Sequence, residues 1–280
     1  MFDMLMDGII DTIKILPYLF VTFLLLEFME HRFNKRSERL LQKNRKFGPF
    51  IGGLLGALPQ CGFSVVASNL FSSRVISMGT LIAIFLSTSD EMLPIMLSEH
   101  VDLLLLIKIV GTKVIIGIVA GFMIDFIYRK SDSGNIKNIS DMCDEEHCSC
   151  DKDGIILSSI KHTIKIGLFI LIANILIGFI IMNVGEDHLG NLLIKGNIFT
   201  YFIASLIGLI PNCASSVIIT ELYLSHVISI GILFSGLLTG SGLGILLPFR
   251  SNKNIKENIA ILSIIYFIGV VVGIVVDFIM

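Results

Sequence analysis

The sequence has little charge, and this shortage limits what the protein can be. Charged residues make up 16% of the 280 positions and hydrophobic residues 54%, with a mean hydropathy of +0.86. Soluble domains typically carry about 25% charged residues, so an ordinary soluble enzyme is excluded. The formal net charge is -2, which gives no reason to expect a nucleic-acid partner.

Three other features are missing. Neither a basic region nor an A-x-A cleavage site opens the chain, so we expect no removable signal peptide. Five cysteines are too few for a disulfide scaffold, and three of them lie in a segment that we expect to be cytosolic. The absence of a G-x-x-x-x-G-K-[ST] motif excludes a Walker-type nucleotide site. Any transport is therefore driven by an ion gradient or runs downhill.

Long apolar runs recur along the whole chain, for example at residues 15–26, 114–124 and 259–280. A helix needs about 20 such residues to cross a hydrocarbon core of about 30 Å. The pattern predicts an all-α polytopic membrane protein that is surrounded by lipid in the cell membrane.

The chain also repeats itself. Residues 56–79 (GALPQCGFSVVASNLFSSRVISMG) match residues 208–231 (GLIPNCASSVIITELYLSHVISIG) at eleven of 24 positions without a gap, at an offset of 152 residues. Residues 114–127 match residues 266–279 at the same offset. We therefore divide the chain into a first membrane repeat at 1–128, a linker at 129–162 and a second membrane repeat at 163–280.

Basic residues in short loops stay in the cytoplasm and thereby indicate orientation. Residues 31–46 hold seven of them, whereas the equivalent residues 183–196 hold only Lys195. Residues 98–102 hold none, whereas the equivalent 250–257 hold three. The two repeats are therefore predicted to have inverted topology, with residues 31–46 and the linker 129–162 in the cytoplasm and both chain termini outside.

A proline breaks an apolar segment at the same place in each repeat. Residues 48–72 are interrupted at 59–62 (PQCG) and residues 197–223 at 211–213 (PNC), which leaves limbs too short to span. We interpret each segment as a re-entrant helical hairpin. A continuous helix with a proline kink is the alternative, but it places residues 31–46 and 98–102 on the same side. Each repeat then has three crossings and one hairpin, or about ten helical pieces in the whole chain.

The two breaks point to one central substrate site, because non-helical backbone at membrane depth is tolerated only where it lines a cavity or is buried in protein. The first limb of each hairpin ends in carbonyls that attract a cation, and the amides that begin the second limb favour an anionic group or a thiolate. Close packing of small residues is the alternative for the cysteines and serines. The candidate substrate-binding residues at the breaks are Pro59, Gln60, Cys61, Ser64, Pro211, Asn212, Cys213, Ser215 and Ser216.

Two carboxylates lie in the apolar run that follows the first hairpin, where they are costly unless paired or hydrated. The second repeat has glycine and leucine at the equivalent positions, 242 and 243. We add three residues of this run to the substrate site: Ser89, Asp90 and Glu91. Contact with headgroups at the outer interface is the alternative for the acids. Farther along, Lys108 and Lys113 either snorkel outward or pair with Asp90.

Two further groups have the chemistry of metal ligands. Glu27, Glu30 and His31 share one helix face by their i, i+3 and i+4 spacing, and they suit a divalent ion unless they only form the edge of the basic loop. The linker sequence DMCDEEHCSCDKD offers thiols and an imidazole to a soft or borderline metal, although its spacing is not that of a zinc finger and a solvated acidic linker is the alternative. Its candidate ligands are Cys143, His147, Cys148 and Cys150.

The paired GALPQCGFS and GLIPNCASS motifs, the repeat and the Cys/His-bearing central loop make the chain resemble the ten-helix heavy-metal exporters. That family is similar to the organoarsenical permeases, and its members are described as arsenic efflux or manganese transport proteins. The resemblance covers essentially the whole chain. It implies efflux rather than enzyme activity, no cofactor apart from the transported ion, and a transport path lined by both Pro-amide-Cys motifs.

These observations favour a secondary transporter that exports a metal or metalloid, such as manganese or trivalent arsenic, by alternating access. Protons are the expected counter-ion. A channel whose filter is made of hairpin carbonyls is the first alternative. An intramembrane enzyme with Cys61 or Cys213 as nucleophile is the second, and it is disfavoured because neither motif brings a histidine with it. The sequence leaves open which ion is carried and whether the protein forms a homodimer.

Overall fold

A computed structural model describes residues 47–57, 61–89, 92–128, 198–252 and 254–279, together with single helical positions within 13–24 and 156–175. Of residues 61, 62, 213 and 214 it describes the helical backbone. Every regular element in these ranges is a helix. The chain is therefore all-helical over the part that the structure describes, as the apolar runs predict.

Several helices of the two repeats begin and end at equivalent positions. In the described ranges, the first repeat forms α1 (Gly48–Gly56), α2 (Cys61–Ser72), α3 (Met78–Ser87), α4 (Met92–Ser98) and α5 (Leu103–Tyr128). The second repeat forms α6 (Ile198–Gly208), α7 (Cys213–Leu224), α8 (Ile230–Thr239), a 3₁₀ helix (Gly242–Leu246), α9 (Leu247–Ser251) and α10 (Ile255–Ile279). Both ends of α2 and α3, and the start of α5, recur in α7, α8 and α10 at the sequence offset of 152.

The same interaction fixes the start of α3 and of α8. Asp125, near the end of α5, accepts hydrogen bonds from Ser77 Oγ (2.6 Å) and from the amide of Gly79 (2.8 Å). Asp277, near the end of α10, accepts the equivalent bonds from the serine hydroxyl and glycine amide at the start of α8. The first amides of a helix have no partner within it, and lipid cannot supply one, so these carboxylates have a structural role.

The two long helices have the length and surface of membrane spans. α5 has 26 residues and α10 has 25, or about 38 Å each at 1.5 Å per residue. Most outward side chains of α5 are apolar, for example Ile107, Ile115 and Val119, so this surface suits lipid rather than water. Over the described residues, the segments long and apolar enough to cross are Met78–Ser98, Leu103–Tyr128 and Ile255–Ile279, with a fourth if the bent segment Ile230–Ser251 counts as one span.

The helices on either side of the proline motifs are much shorter. α1 has 9 residues and α6 has 11, while α2 and α7 have 12 each. Their lengths of about 14–18 Å are too small for any of the four to cross a bilayer alone. This is the limb length that the sequence predicts for a helical hairpin.

The segment that follows α2 and the one that follows α7, each predicted as a crossing, are interrupted. In the second repeat, α8 and the helical piece from Gly242 to Ser251 meet at 51°, and Gly242 adopts a φ of 54°, which favours glycine. In the first repeat, α3 ends at Ser87, and the capping residue Thr88 has an extended ψ of 130°. The Thr88 hydroxyl bonds back to the carbonyl of Ile84 at 2.7 Å, a competition that weakens helix continuation.

Candidate transport site

The helix that follows each proline motif packs against the interrupted segment of the other repeat. α2 of the first repeat lies against the 3₁₀ helix and α9 of the second repeat. In the same way, α7 of the second repeat lies against α4 of the first repeat. The helices α2 and α7 and the interrupted segments therefore meet where the two repeats are in contact.

The contact between α2 and the 3₁₀ helix is close and polar. Ser68 Oγ donates to the carbonyl of Gly244 at 2.6 Å and shares its proton with the carbonyl of Ser64 at 2.9 Å. A Cβ built on Gly244 would lie 2.6 Å from the Cβ of Ser64, so only glycine allows this approach. Ser64, a predicted site residue, is fully buried. Ser68 was not predicted, although its spacing of seven residues from Cys61 puts it on the same side of the helix.

In the second repeat, the predicted residues lie in the short connection between α6 and α7 and in the first turn of α7. Pro211 and Asn212 are half-buried between α6 and α7. Ser215 is buried and donates to the carbonyl of Asn212 at 2.9 Å, and Ser216 is half-buried. Thr220 is fully buried and donates to the carbonyl of Ser216 at 2.7 Å. Thr220 occupies the position equivalent to Ser68. The polar line along α2, formed by Ser64 and Ser68, is therefore repeated along α7.

The interrupted segment of the first repeat contributes buried hydroxyls and one buried cation. Ser89 is 1% exposed, and its hydroxyl donates to the carbonyl of Ser87 at 3.3 Å. Lys113 of α5 is also 1% exposed, and its Nζ donates to the carbonyls of Thr88 and Leu237. Lys108 is exposed. Of the two lysines, Lys113 therefore points inward, which the sequence could not decide.

Several candidate residues lie outside the described residues. They are Glu27, Glu30, His31, Pro59, Gln60, Asp90, Glu91, Cys143, His147, Cys148 and Cys150, and the side chains of Cys61 and Cys213. Their roles stay predictions. Among the described residues, no group of three or more His, Cys, Asp or Glu side chains is placed to hold a metal ion.

An ion pair joins the two repeats at one end of their contact. Both terminal nitrogens of Arg74, just after α2, bond the carboxylate of Glu257 at the start of α10, at 2.8 and 2.7 Å. Asn252 donates to the same carboxylate at 2.8 Å. The equivalent positions, 226 and 105, hold histidine and leucine, so the repeat does not provide this pair a second time.

We expect Arg74→Gln to lower the thermal unfolding midpoint of the purified protein by about 3–6 °C. A half-buried bidentate pair between arginine and a carboxylate contributes about 1–2 kcal/mol, and each kcal/mol corresponds to about 2–4 °C in a chain of this size. The double variant Arg74→Glu with Glu257→Arg should regain most of the loss. Lys256→Gln, which removes an exposed charge beside Glu257, is the control. A double variant no more stable than Arg74→Glu alone would contradict the pairing.

Apolar spans, interrupted helices and polar groups buried between two repeats define a multi-pass helical membrane protein with a polar site inside it. The family model described as "Putative, 10TM heavy-metal exporter" matches residues 2–188, about two thirds of the chain. The protein therefore belongs to this family, which confirms the resemblance seen in the sequence motifs and supports a role in metal transport. No curated protein and no solved structure matches the chain.

Proposed function

We propose that the protein is a secondary transporter that exports a heavy metal or metalloid across the cell membrane by alternating access. The observation that carries this proposal is the meeting of interrupted helices from both repeats, because substrate sites of repeat-built transporters form between discontinuous helices. Family membership supports export. The two repeats have inverted topology and rock against each other, and the chain is not an enzyme.

The transport path runs along the polar lines of α2 and α7. On α2 this line holds Cys61, Ser64 and Ser68, at equal spacing to the line of residues 213, 216 and 220 on α7. Each line starts at a Pro-amide-Cys motif, where helix ends present carbonyl and amide groups that lipid cannot satisfy. The substrate binds at the motifs, with Asp90 and Glu91 supplying charge from the first repeat.

The substrate is a divalent metal such as manganese, or trivalent arsenic, and we favour the divalent metal. An embedded carboxylate at position 90 and an acidic Cys/His linker at 129–162 are better suited to a cation than to neutral arsenite. The linker and the residues 27–31 act as secondary metal-collecting sites on the cytoplasmic side. Protons are the counter-ion in this proposal.

Flux measurements on everted membrane vesicles test the function directly. Vesicles that contain the wild-type protein should accumulate one of manganese, zinc, cadmium, arsenite or methylarsenite, with saturable kinetics and a requirement for a proton gradient. Vesicles from cells with the empty vector are the control. Flux that never saturates and needs no counter-ion would favour the channel, and a covalently altered product without net flux would favour the enzyme.

The orientation of the chain has its own test. Because the seven basic residues of 31–46 dominate orientation, a cysteine introduced at Ser37 should stay unlabelled by an impermeant thiol reagent on intact cells. A cysteine introduced at Asp187 should be labelled, and permeabilised cells should label both. Labelling of position 37 but not of 187 on intact cells would overturn the inverted arrangement.

A further inference from the structure

Lys113 is a buried cation in the middle of the span α5. The side chain is 1% exposed, and a charged group at such depth is costly unless its surroundings compensate it. The second repeat has Ile265 at the equivalent position, where it is fully buried. Packing alone therefore accepts an apolar side chain at this position of the fold, and the lysine requires a separate reason.

The bonds of the ammonium group give that reason. Nζ donates to the carbonyl of Thr88, the residue that caps the C-terminal end of α3. It also donates, at 3.0 Å, to the carbonyl of Leu237 in the last turn of α8. In a continuous helix the amide of Ser241 would occupy the Leu237 carbonyl, but this amide bonds to Thr239 at 2.9 Å. Carbonyls at the C-terminal end of a helix carry partial negative charge. One such end from each repeat thus faces the same ammonium.

We propose that these carbonyls form a monovalent-cation site between the two repeats, which the protein fills with its own Lys113 ammonium. In other transporters, carbonyls at such helix breaks coordinate Na⁺; here the tethered cation occupies the position, joins α3 to α8 and leaves no place for a free ion. The ligand class of the site is a primary ammonium. The site concerns the resident ammonium rather than the exported ion, and it therefore goes beyond the proposed function.

Chemical rescue of a deletion tests the site. Lys113→Ala removes the three carbons and the nitrogen of propylammonium, so added propylammonium chloride can refill the space. We expect Lys113→Ala to lower the thermal unfolding midpoint of the purified protein by about 5–10 °C, and propylammonium to restore at least half of that loss. Tetramethylammonium chloride at equal concentration, which has charge but no N–H group, should restore nothing. Wild type and Lys108→Ala, an exposed lysine on the same helix, should be unaffected by propylammonium.

Two further variants separate a cation site from simpler explanations. Lys113→Ile, which copies the second repeat and fills the space, should be destabilised and should not respond to the amine. Lys113→Gln keeps N–H donors without charge and should also be destabilised. Wild-type stability of Lys113→Gln or Lys113→Ile, or no response of Lys113→Ala to propylammonium, would overturn the proposal. If Lys113→Ala fails to accumulate in cells, growth with propylammonium should restore its accumulation. Recovery supports the proposal, and absence of recovery contradicts it. Because the readout is stability without substrate, failure to export any metal would leave this result unchanged.

Discussion

The Gly121→Leu variant is expected to yield at least tenfold less monodisperse protein than the wild type, while Gly111→Leu on the same helix yields as much. A Cβ on Gly121 would lie 2.6 Å from the carbonyl oxygen of Gly79 and 2.9 Å from the Cβ atoms of Ala83 and Pro49. Two neighbouring helices, α3 and α1, would have to move, and such overpacking costs about 1–3 kcal/mol or more, enough for a tenfold change. A Cβ on Gly111 would meet nothing within 4 Å.

Size-exclusion chromatography of detergent-extracted fluorescent fusions measures the yield. Gly273→Leu provides a second case from the other repeat, because a Cβ there would lie 2.5 Å from the carbonyl oxygen of Gly231. Gly111→Leu controls for the added apolar side chain and for expression. Equal loss in Gly111→Leu, or normal yield of Gly121→Leu, would show that the close approach of α3 and α5 does not limit folding.

The choice of substrate should depend on the softness of the ligands that are changed. Cys61→Ser combined with Cys213→Ser should abolish export of trivalent arsenicals, because a thiophilic species needs thiolate ligands, and should only weaken export of manganese. Asp90→Asn should do the reverse, because manganese is harder and relies on a carboxylate, amide and carbonyl oxygens. The measurement is resistance of cells to each toxicant, in strains with matched protein levels.

Ser98→Ala, which changes an exposed hydroxyl at the end of α4, is a control for the substitutions. Loss of both activities in both variants would mean that one shared site handles both substrates with a mixed ligand set. If neither variant changes resistance to either toxicant, the hairpin tips and Asp90 are scaffold, and the substrate binds elsewhere.

Much of the helical pattern could be predicted from the sequence because the two repeats carry the same pattern of segments. The matched segments at an offset of 152 predict equivalent helix ends, and the structure has them at α2 with α7 and at α3 with α8. The interruption after Thr88 was missed, because hydropathy stays high from Met78 to Ser98 and hydropathy does not report dihedral angles. In the second repeat, the glycine-serine-glycine run at 240–242 is a sequence signal for such an interruption.

The contacts of the site were harder to predict than its residue types. Ser64, Ser89 and Ser215 are buried, and their role in substrate binding stays a prediction. The meeting of α2 with residues 242–246 could not be read from the chain, because it depends on how the two repeats pack. The inward direction of Lys113 was equally inaccessible, since α5 is apolar on nearly every side and its periodicity gives no orientation.

The one-sided ion pair between Arg74 and Glu257 has an energetic consequence for a protein made of two related halves. In the proposed alternating-access cycle, two identical halves of inverted topology would give inward-facing and outward-facing states that are related by two-fold rotation and equal in free energy. If the ion pair forms in only one of these states, its contribution of about 1–2 kcal/mol would make the ratio of the two populations about 5–30 to 1. The substrate must then bind the rarer state more tightly by at least this factor to bring the two states to equal population.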